Sequence, residues 1–340
     1  MTNTNPYRPR PRATTLFRQR FAARRLLSIA ACLLFAWFCL VPSPAAAVKD
    51  GRTCNVADAP ERLLEVGGAS KGVGDRGGAR FSHAAGSAGP DGEIKIVSYN
   101  IRWRGGDDLK RLIQTLRDDP EIGGAHVIGL QEVDRNRKRS GNVNAARLMA
   151  EELSMYYAWA APPCDGRKHD DREAGEDETG VAILSRYPLA DVERIVLPHA
   201  GPDCRRRAAV GATVLVGDTP VRVYSVHAET RLEIAKKKEQ WAATLDSLAR
   251  RPQVRRAVVL GDLNSIKRKD VSAARKLFSE SNFTTPFPDD KPTWKTFIFK
   301  LKLDWLWLRD LPATSHGIAK HVKFSDHWPL WVKVKVMSDE

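Results

Sequence analysis

Cysteine is scarce: five among 340 residues, at positions 32, 39, 54, 164 and 204. No two stand in a C-x-x-C spacing, which excludes zinc-ribbon and dithiol redox motifs. There is no G-x-x-x-x-G-K-[ST] and no strand-led G-x-G-x-x-G, so a glycine-rich phosphate cradle is excluded as well. No internal repeat appears. With 42% hydrophobic and 28% charged residues and ordinary glycine and proline, the chain is neither disordered nor fibrous. Acidic residues are missing from the first 47 positions, which hold seven arginines (8, 10, 12, 18, 20, 24 and 25). Long apolar runs are missing too, save one, Leu26–Val41.

That run explains the arginines. A basic segment, a short apolar stretch and the closing Ala45-Ala46-Ala47 make a signal peptide over residues 1–47, cleaved after Ala47. The competing reading is an uncleaved anchor, but 16 residues span roughly 24 Å as a helix. A bilayer core is about 30 Å thick. Ile29-Ala30-Ala31-Cys32 resembles a lipoprotein box, yet too few residues separate it from the arginines to form an apolar core. The expectation is therefore a secreted or periplasmic protein with no stable membrane span after processing. Cleavage takes Cys32 and Cys39, and lowers the net charge from +14 to +7. In an oxidising compartment Cys164 and Cys204 suit a bridge worth roughly 3–4 kcal/mol; three free thiols is the other reading.

Residues 48–92 are rich in Gly, Ala and Ser without periodicity and read as a linker. One dense domain, 93–340, follows. Strands are expected at Ile94–Tyr99, His126–Leu130, Val181–Leu184, Ala208–Val216, Val221–Val226, Val258–Leu260, Leu303–Leu308 and Leu330–Val336. Gly217-Asp218 marks a hairpin between two of them. Helices are expected from a cap at Asp107 with Leu109, Leu112, Ile113 and Leu116 on one face, at Asn142–Leu153, and at Leu232–Ala249. Hairpins mixed with helical crossovers imply an α/β fold of two packed sheets with helices outside.

Each strand end carries a polar residue: Asn100, Glu132, His227, Asp262 with Asn264, Asp304, and Asp326-His327. Singly these have bland readings. An Asn or Asp is a turn residue, a Glu the exit from an apolar run, and a His a satisfied core side chain. Jointly they mark the rim where sites are built on rigid scaffolds.

In this order the blocks resemble the endonuclease/exonuclease/phosphatase superfamily over Ile94–Val336. They are Ser98-Tyr-Asn100, Leu130-Gln-Glu132-Val-Asp, Gly180-Val-Ala-Ile-Leu-Ser-Arg-Tyr-Pro188, Ser225-Val-His227, Gly261-Asp-Leu-Asn264, Asp304-Trp and Ser325-Asp-His-Trp-Pro329. The resemblance implies a four-layer α/β sandwich, two mostly antiparallel sheets face to face with helices outside, and metal-dependent phosphodiester hydrolysis. It implies Mg2+ (or Mn2+) at Glu132 with Asn100 and Asp326 beside it, Asp262 polarising the attacking water, and Asn264 orienting water or phosphate. It implies His327 on the scissile phosphate oriented by Asp304, and His227 as a second phosphate ligand or proton donor. Asn264, two residues after Asp262, is expected to point the same way along an extended chain.

Two departures stand out. Gly180-Val181-Ala182 replaces the Gly-Asn-Ala of many relatives, and Glu178 is the nearest candidate for the acid some relatives place behind His227. The implied partner is a phosphodiester substrate, foremost nucleic acid, handled by a monomer. Arg137, Lys138 and Lys267 leave the same strand ends as the catalytic groups and are candidate backbone contacts. Lys236–Lys238 read instead as the polar face of a helix. A phospholipid or sphingomyelin phosphodiesterase, or an inositol-phosphate phosphatase, is the alternative within the fold. For the lipid case the aromatic segment Trp294–Leu301 is the relevant feature, although Phe297 and Phe299 read first as alternating strand residues leading to Asp304. An inactive binding module would require loss of the metal glutamate or a histidine, and neither is lost.

Overall fold

A computed structural model describes residues 62–68, 92–163, 178–202 and 205–336. The leader, Cys54, Cys164 and Cys204 lie outside the described residues, and with them the expected cleavage and bridge. In chain order the first half holds β1 (Leu64–Gly67), β2 (Glu93–Asn100), α1 (Gly106–Asp118), β3 (Val127–Arg135), α2 (Ala145–Leu153), β4 (Tyr156–Ala160), β5 (Glu178–Ser185) and β6 (Leu189–Val196). The second half holds β7 (Ala208–Val216), β8 (Thr219–His227), α3 (Ile234–Ala249), β9 (Arg256–Asp262), α4 (Arg268–Glu280), β10 (Trp294–Lys295), β11 (Lys300–Leu301), β12 (Asp304–Arg309), β13 (Ala313–Ile318) and β14 (Leu330–Lys335).

Seven strands form one sheet in the order β1-β4-β5-β3-β2-β14-β13, and five form another, β12-β9-β8-β7-β6. Each sheet has a single parallel pair, β2/β3 and β8/β9, and is otherwise antiparallel. Apolar residues divide by face. Ile94, Ile96, Val127, Val210, Val258, Leu306 and Leu330 interlock between the sheets. The other face of the larger sheet packs Val97, Ile128 and Trp159 on Leu112, Leu116 and Met149 of α1 and α2. The other face of the smaller sheet packs Tyr224, Val259 and Trp305 on Trp241, Leu248 and Phe278 of α3 and α4. The layers are therefore helix, sheet, sheet, helix, as the resemblance implies. The sheets approach so closely at Gly129 that a Cβ there would sit 1.9 Å from Leu260 Cδ1.

Local chemistry sets the element ends. The Gly217-Asp218 hairpin forms, with Val216 opposite Thr219 and Gly217 at φ +60. Asn144 caps α2 by accepting the Arg147 N–H at 3.0 Å, so that helix begins later than its apolar pattern suggests. The cap of α1 is Gly105, not Asp107; Asp107 and Asp108 lie in the first turn, where carboxylates meet the positive end of the helix dipole.

Several elements escape the pattern reading, the interior strand β4 among them. β1 lies inside the segment read as a linker: Leu63 is fully buried, and Glu65 accepts hydrogen bonds from Asn144, Arg147 and Tyr157. α4 begins in the basic run Lys267-Arg268-Lys269, which masks the stripe of Ala274 and Phe278 behind it. β6 and β13 are edge strands with few buried side chains, so they lack the apolar alternation of interior ones.

Candidate active site

The strands β2, β3, β8, β9 and β12 present their ends on one rim. Two backbone features aim the side chains there. β3 does not end at Glu132, as its apolar run suggests, but continues to Arg135 with a bulge between Gln131 and Val133. Glu132 occupies the bulge at φ +55, extruded from the ladder toward the rim. Before Asp262, Gly261 adopts φ +130, and a Cβ there would lie 2.1 Å from the Val226 carbonyl oxygen. Below the rim Gln131 Nε2 donates to Ser225 Oγ at 3.0 Å, and that hydroxyl donates to the Leu130 carbonyl at 2.9 Å. This clasp fixes β3 against β8, so Glu132 and His227 keep their spacing.

At the centre, Asn100 Nδ2 donates to Glu132 Oε1 at 3.1 Å and to Asp262 Oδ2 at 3.2 Å. Asn100 and Asp262 are buried, whereas Glu132 is partly open at the mouth. Burial pushes the Asp262 carboxyl up to about 7; the Asp304 and Glu132 carboxylates add to this, while His327 and the Asn264 N–H oppose it.

The two histidines carry opposite protonation. His327 Nδ1 lies 3.0 and 2.9 Å from the two Asp304 carboxylate oxygens, with Nε2 turned to Asp262 Oδ2 at 3.8 Å. Burial pulls its pKa down, but the Asp304 charge and hydrogen bond outweigh that and raise it to about 9. His327 is thus an imidazolium at neutral pH. His227 Nδ1 instead meets Arg207 Nη1 at 3.2 Å. A guanidinium only donates, so Nδ1 accepts and the ring proton sits on Nε2. Nε2 faces Asp262 Oδ2 at 3.7 Å and Glu132 Oε1 at 3.9 Å. Burial, then Arg207, holds His227 well below the ordinary imidazole range, so it is a neutral donor.

Several residues differ from expectation. Glu178 does not stand behind His227; it pairs with Arg62 and Arg135 in the other sheet. The group behind His227 is Arg207, itself held by the fully buried Glu229 at 3.0 Å. Asn264 is not on an extended chain: at φ +51 its N–H donates to Asp262 Oδ1 at 2.9 Å and its Nδ2 to the Ala228 carbonyl at 2.8 Å. It positions Asp262. Lys237 is no part of a solvated face, being 3% exposed with Nζ on the Asn264 carbonyl at 2.8 Å and on Asp270 at 3.0 Å. Asp326 is partly exposed and pairs with Arg102 at 3.1 Å.

The basic run after Glu132 is largely structural. Arg135 stacks on Trp159 and pairs with Glu65 and Glu178. Arg139 pairs with Asp134 and stacks on Trp103. Arg137 precedes a short 3-10 turn that includes the exposed Lys138. Lys267 is exposed, and its backbone N–H donates to the Asp270 carboxylate at the start of α4. Arg207, Glu229 and Lys237 had no sequence signal, since their roles depend on partners 20 or more positions distant.

The donor chemistry suits a hard divalent cation. Among the described residues, Asp262, Asp304 and His327 form the one group whose ligand atoms lie within 4.8 Å of one another. There His327 holds a proton and faces both Asp304 oxygens, so the trio acts as a proton-bearing pair, not a cage. Glu132, open at the mouth and neighboured by the Asn100 amide, offers a free carboxylate oxygen of the kind a hard divalent cation takes.

A profile of the Endonuclease/Exonuclease/phosphatase family matches residues 97–327. The chain belongs to that family. Its members hydrolyse phosphoester bonds and generally use a divalent metal. The fold is similar to that of an endonuclease/exonuclease/phosphatase from Beutenbergia cavernae (18% identity, 72% of each chain covered, TM-score 0.57). It is also similar to a humanised D. rerio TDP2 carrying 14 mutations (16% identity, 72% of this chain and 100% of that one, TM-score 0.55). A third likeness is the human Nocturnin catalytic domain with a bound sulfate anion (17% identity, 71% and 93% covered, TM-score 0.52). At these identities the likeness is one of fold. No curated protein sequence gives a match.

Proposed function

We propose that the protein is an exported Mg2+-dependent phosphodiester hydrolase acting on nucleic acid with little sequence preference. The observation that carries this is the placement of Asp262 between an imidazolium, His327, and a neutral imidazole donor, His227, beside the Asn100–Glu132 pair. Glu132, hydrogen-bonded by Asn100, would hold the cation, with Asp326 the further carboxylate that the resemblance implies, and the cation when bound would neutralise charge on the phosphate oxygens. Above its pKa Asp262 accepts a proton from the attacking water. Asn100 and Asn264, both bonded to Asp262, fix the oxygen that takes it. His227 Nε2–H donates to a non-bridging oxygen, and the His327 imidazolium supplies charge and a proton to the phosphate side as the P–O bond to the leaving alkoxide breaks. The balance of the described rim, basic along 102–104 and 295–300, favours a polyanion.

A second reading has one observation in its favour. Phe297 and Ile298 stand 101% and 52% exposed at the tip between β10 and β11, instead of alternating within a strand, so a lipid phosphodiester is the competitor. No helix among the described residues is long and apolar enough to cross a membrane. The test is an activity panel with Mg2+: plasmid DNA, RNA, sphingomyelin vesicles, inositol phosphates and bis(p-nitrophenyl) phosphate. Turnover of sphingomyelin with DNA left intact at low salt would replace the nuclease reading by the lipid one.

A further inference from the structure

Beside the catalytic rim runs a cleft of about 740 Å3 with Phe297 on its lip. Its walls carry Arg102 and Arg104 from the loop after β2, Lys295 and Lys300 from the β10/β11 hairpin, and Lys323 from the segment leading to Asp326. Arg102 is paired with Asp326 and Arg104 with Asp108. Lys295, Lys300 and Lys323 form no ion pair among the described residues. Five cations thus face one carboxylate within the cleft, an excess that a strand of phosphates would neutralise.

The backbone that carries the aromatic is closed by hydrogen bonds and tied to the catalytic segment. Thr296 N–H donates to the Phe299 carbonyl at 2.8 Å, and Phe299 N–H to Thr296 Oγ1 at 3.2 Å, which closes the hairpin tip. The hairpin is joined to the catalytic segment because Lys295 N–H donates to the Asp326 carbonyl at 2.9 Å and Trp294 bridges to His327. On the other wall Arg102 and Trp103 both adopt left-handed backbone, φ +48 and +58, a strained pair held by the Asn100 side chain on Arg102 N–H. Both walls are therefore tied to residues of the catalytic rim, Asn100 on one side and Asp326-His327 on the other.

We propose that this cleft binds the single-stranded continuation of the substrate beyond the scissile phosphate, with its phosphates along the five cations and an unpaired base stacked on Phe297. The proposal rests on the nuclease reading above. A base within a duplex has both faces covered by its neighbours, so an isolated aromatic on a basic lip selects unpaired strands. Two apolar side chains flanked by lysines also suit one base better than a broad lipid interface.

The test compares an oligodeoxythymidylate with its duplex with oligodeoxyadenylate, bis(p-nitrophenyl) phosphate serving as a substrate too small to reach the cleft. The intact protein should cleave the single strand with a kcat/KM about tenfold above that of the duplex. Phe297→Ala should lower the ratio of oligonucleotide to bis(p-nitrophenyl) phosphate kcat/KM about tenfold, the loss expected for one stacked base, and Phe297→Trp should restore it. In fluorescence anisotropy with chelator present, Lys300→Ala with Lys323→Ala should reduce the log–log salt slope of binding by about 1.4, at about 0.7 for each single-strand phosphate contact. Equal cleavage of both forms with no effect of Phe297→Ala overturns the proposal. So does loss of binding to phosphatidylserine vesicles in Phe297→Ala while oligonucleotide binding persists, which would make the tip a membrane element. If bis(p-nitrophenyl) phosphate itself is not hydrolysed, the underlying hydrolase reading fails and this inference falls with it. Hydrolysis without strand preference defeats the cleft proposal alone.

Discussion

Replacing Asp304 by Asn tests the charge arrangement at the histidine. The amide keeps its volume and one oxygen able to accept from His327 Nδ1, so the change removes charge more than shape. In the parent, His327 sits at about 9 against an ordinary 6.5, with Asp304 as the main raising influence. That difference corresponds to about 3 kcal/mol of preference for the imidazolium in the folded state. Because the folded pKa is the higher one, this stability is fully present below about pH 6.5 and is lost as pH rises through 9. Asp262 is also raised, from 3.8 to about 7, and its contribution falls away between those values, leaving the window above 7 to His327. Urea unfolding of the chelated protein between pH 6.5 and 9.5 should therefore lose about 3 kcal/mol in the parent and under about 1 kcal/mol in Asp304→Asn. Parallel pH curves for the two proteins would refute the assignment of Asp304 as the source of the His327 charge.

Other consequences are as direct. Glu132→Gln should raise the Mg2+ concentration needed for half-maximal hydrolysis by tenfold or more, about 1.4 kcal/mol, because an amide lacks the charge that holds a hard cation; an unchanged Mg2+ titration would move the metal elsewhere. Lys237→Met should destabilise the protein by about 3 kcal/mol, since it leaves the buried Asp270 unpaired and frees the Asn264 carbonyl. Guanidinium unfolding measures it, and a neutral result would contradict the pairing of Lys237 with Asp270 as a source of stability. For export, mass spectrometry of native protein should find an N-terminus near Val48, with Cys164 and Cys204 blocked to thiol reagents until reduced. An intact Met1 in a cytoplasmic fraction would contradict it.

What was legible in the sequence follows from range. Interior strands such as Ala208–Val216 show apolar runs because both faces are buried, and the rim residues show as polar punctuation because a strand must exchange apolar for polar side chains where it leaves the core. The Gly217-Asp218 turn is local backbone chemistry and was readable for that reason. Hidden features depend on distant partners or on local backbone geometry. Arg207 behind His227, Lys237 beneath Asn264 and the Gln131–Ser225 clasp each join residues brought together only by the two-sheet packing. The bulge at Glu132 hid because a left-handed glutamate has no composition signal, and the hairpin tip at Phe297 hid because two aromatics two apart mimic a strand. One charge run misled: Lys237, read as part of a helix's polar face, is buried against Asp270.

Release of p-nitrophenol from bis(p-nitrophenyl) phosphate, measured before and after chelation, tests whether the protein is a metal-dependent phosphodiester hydrolase centred on Asp262. Expected are steady release with Mg2+, loss of release on adding chelator, recovery when Mg2+ is restored, and a drop of several orders of magnitude in folded Asp262→Asn. Release that persists in chelator, or near-parental turnover in Asp262→Asn, would contradict that assignment.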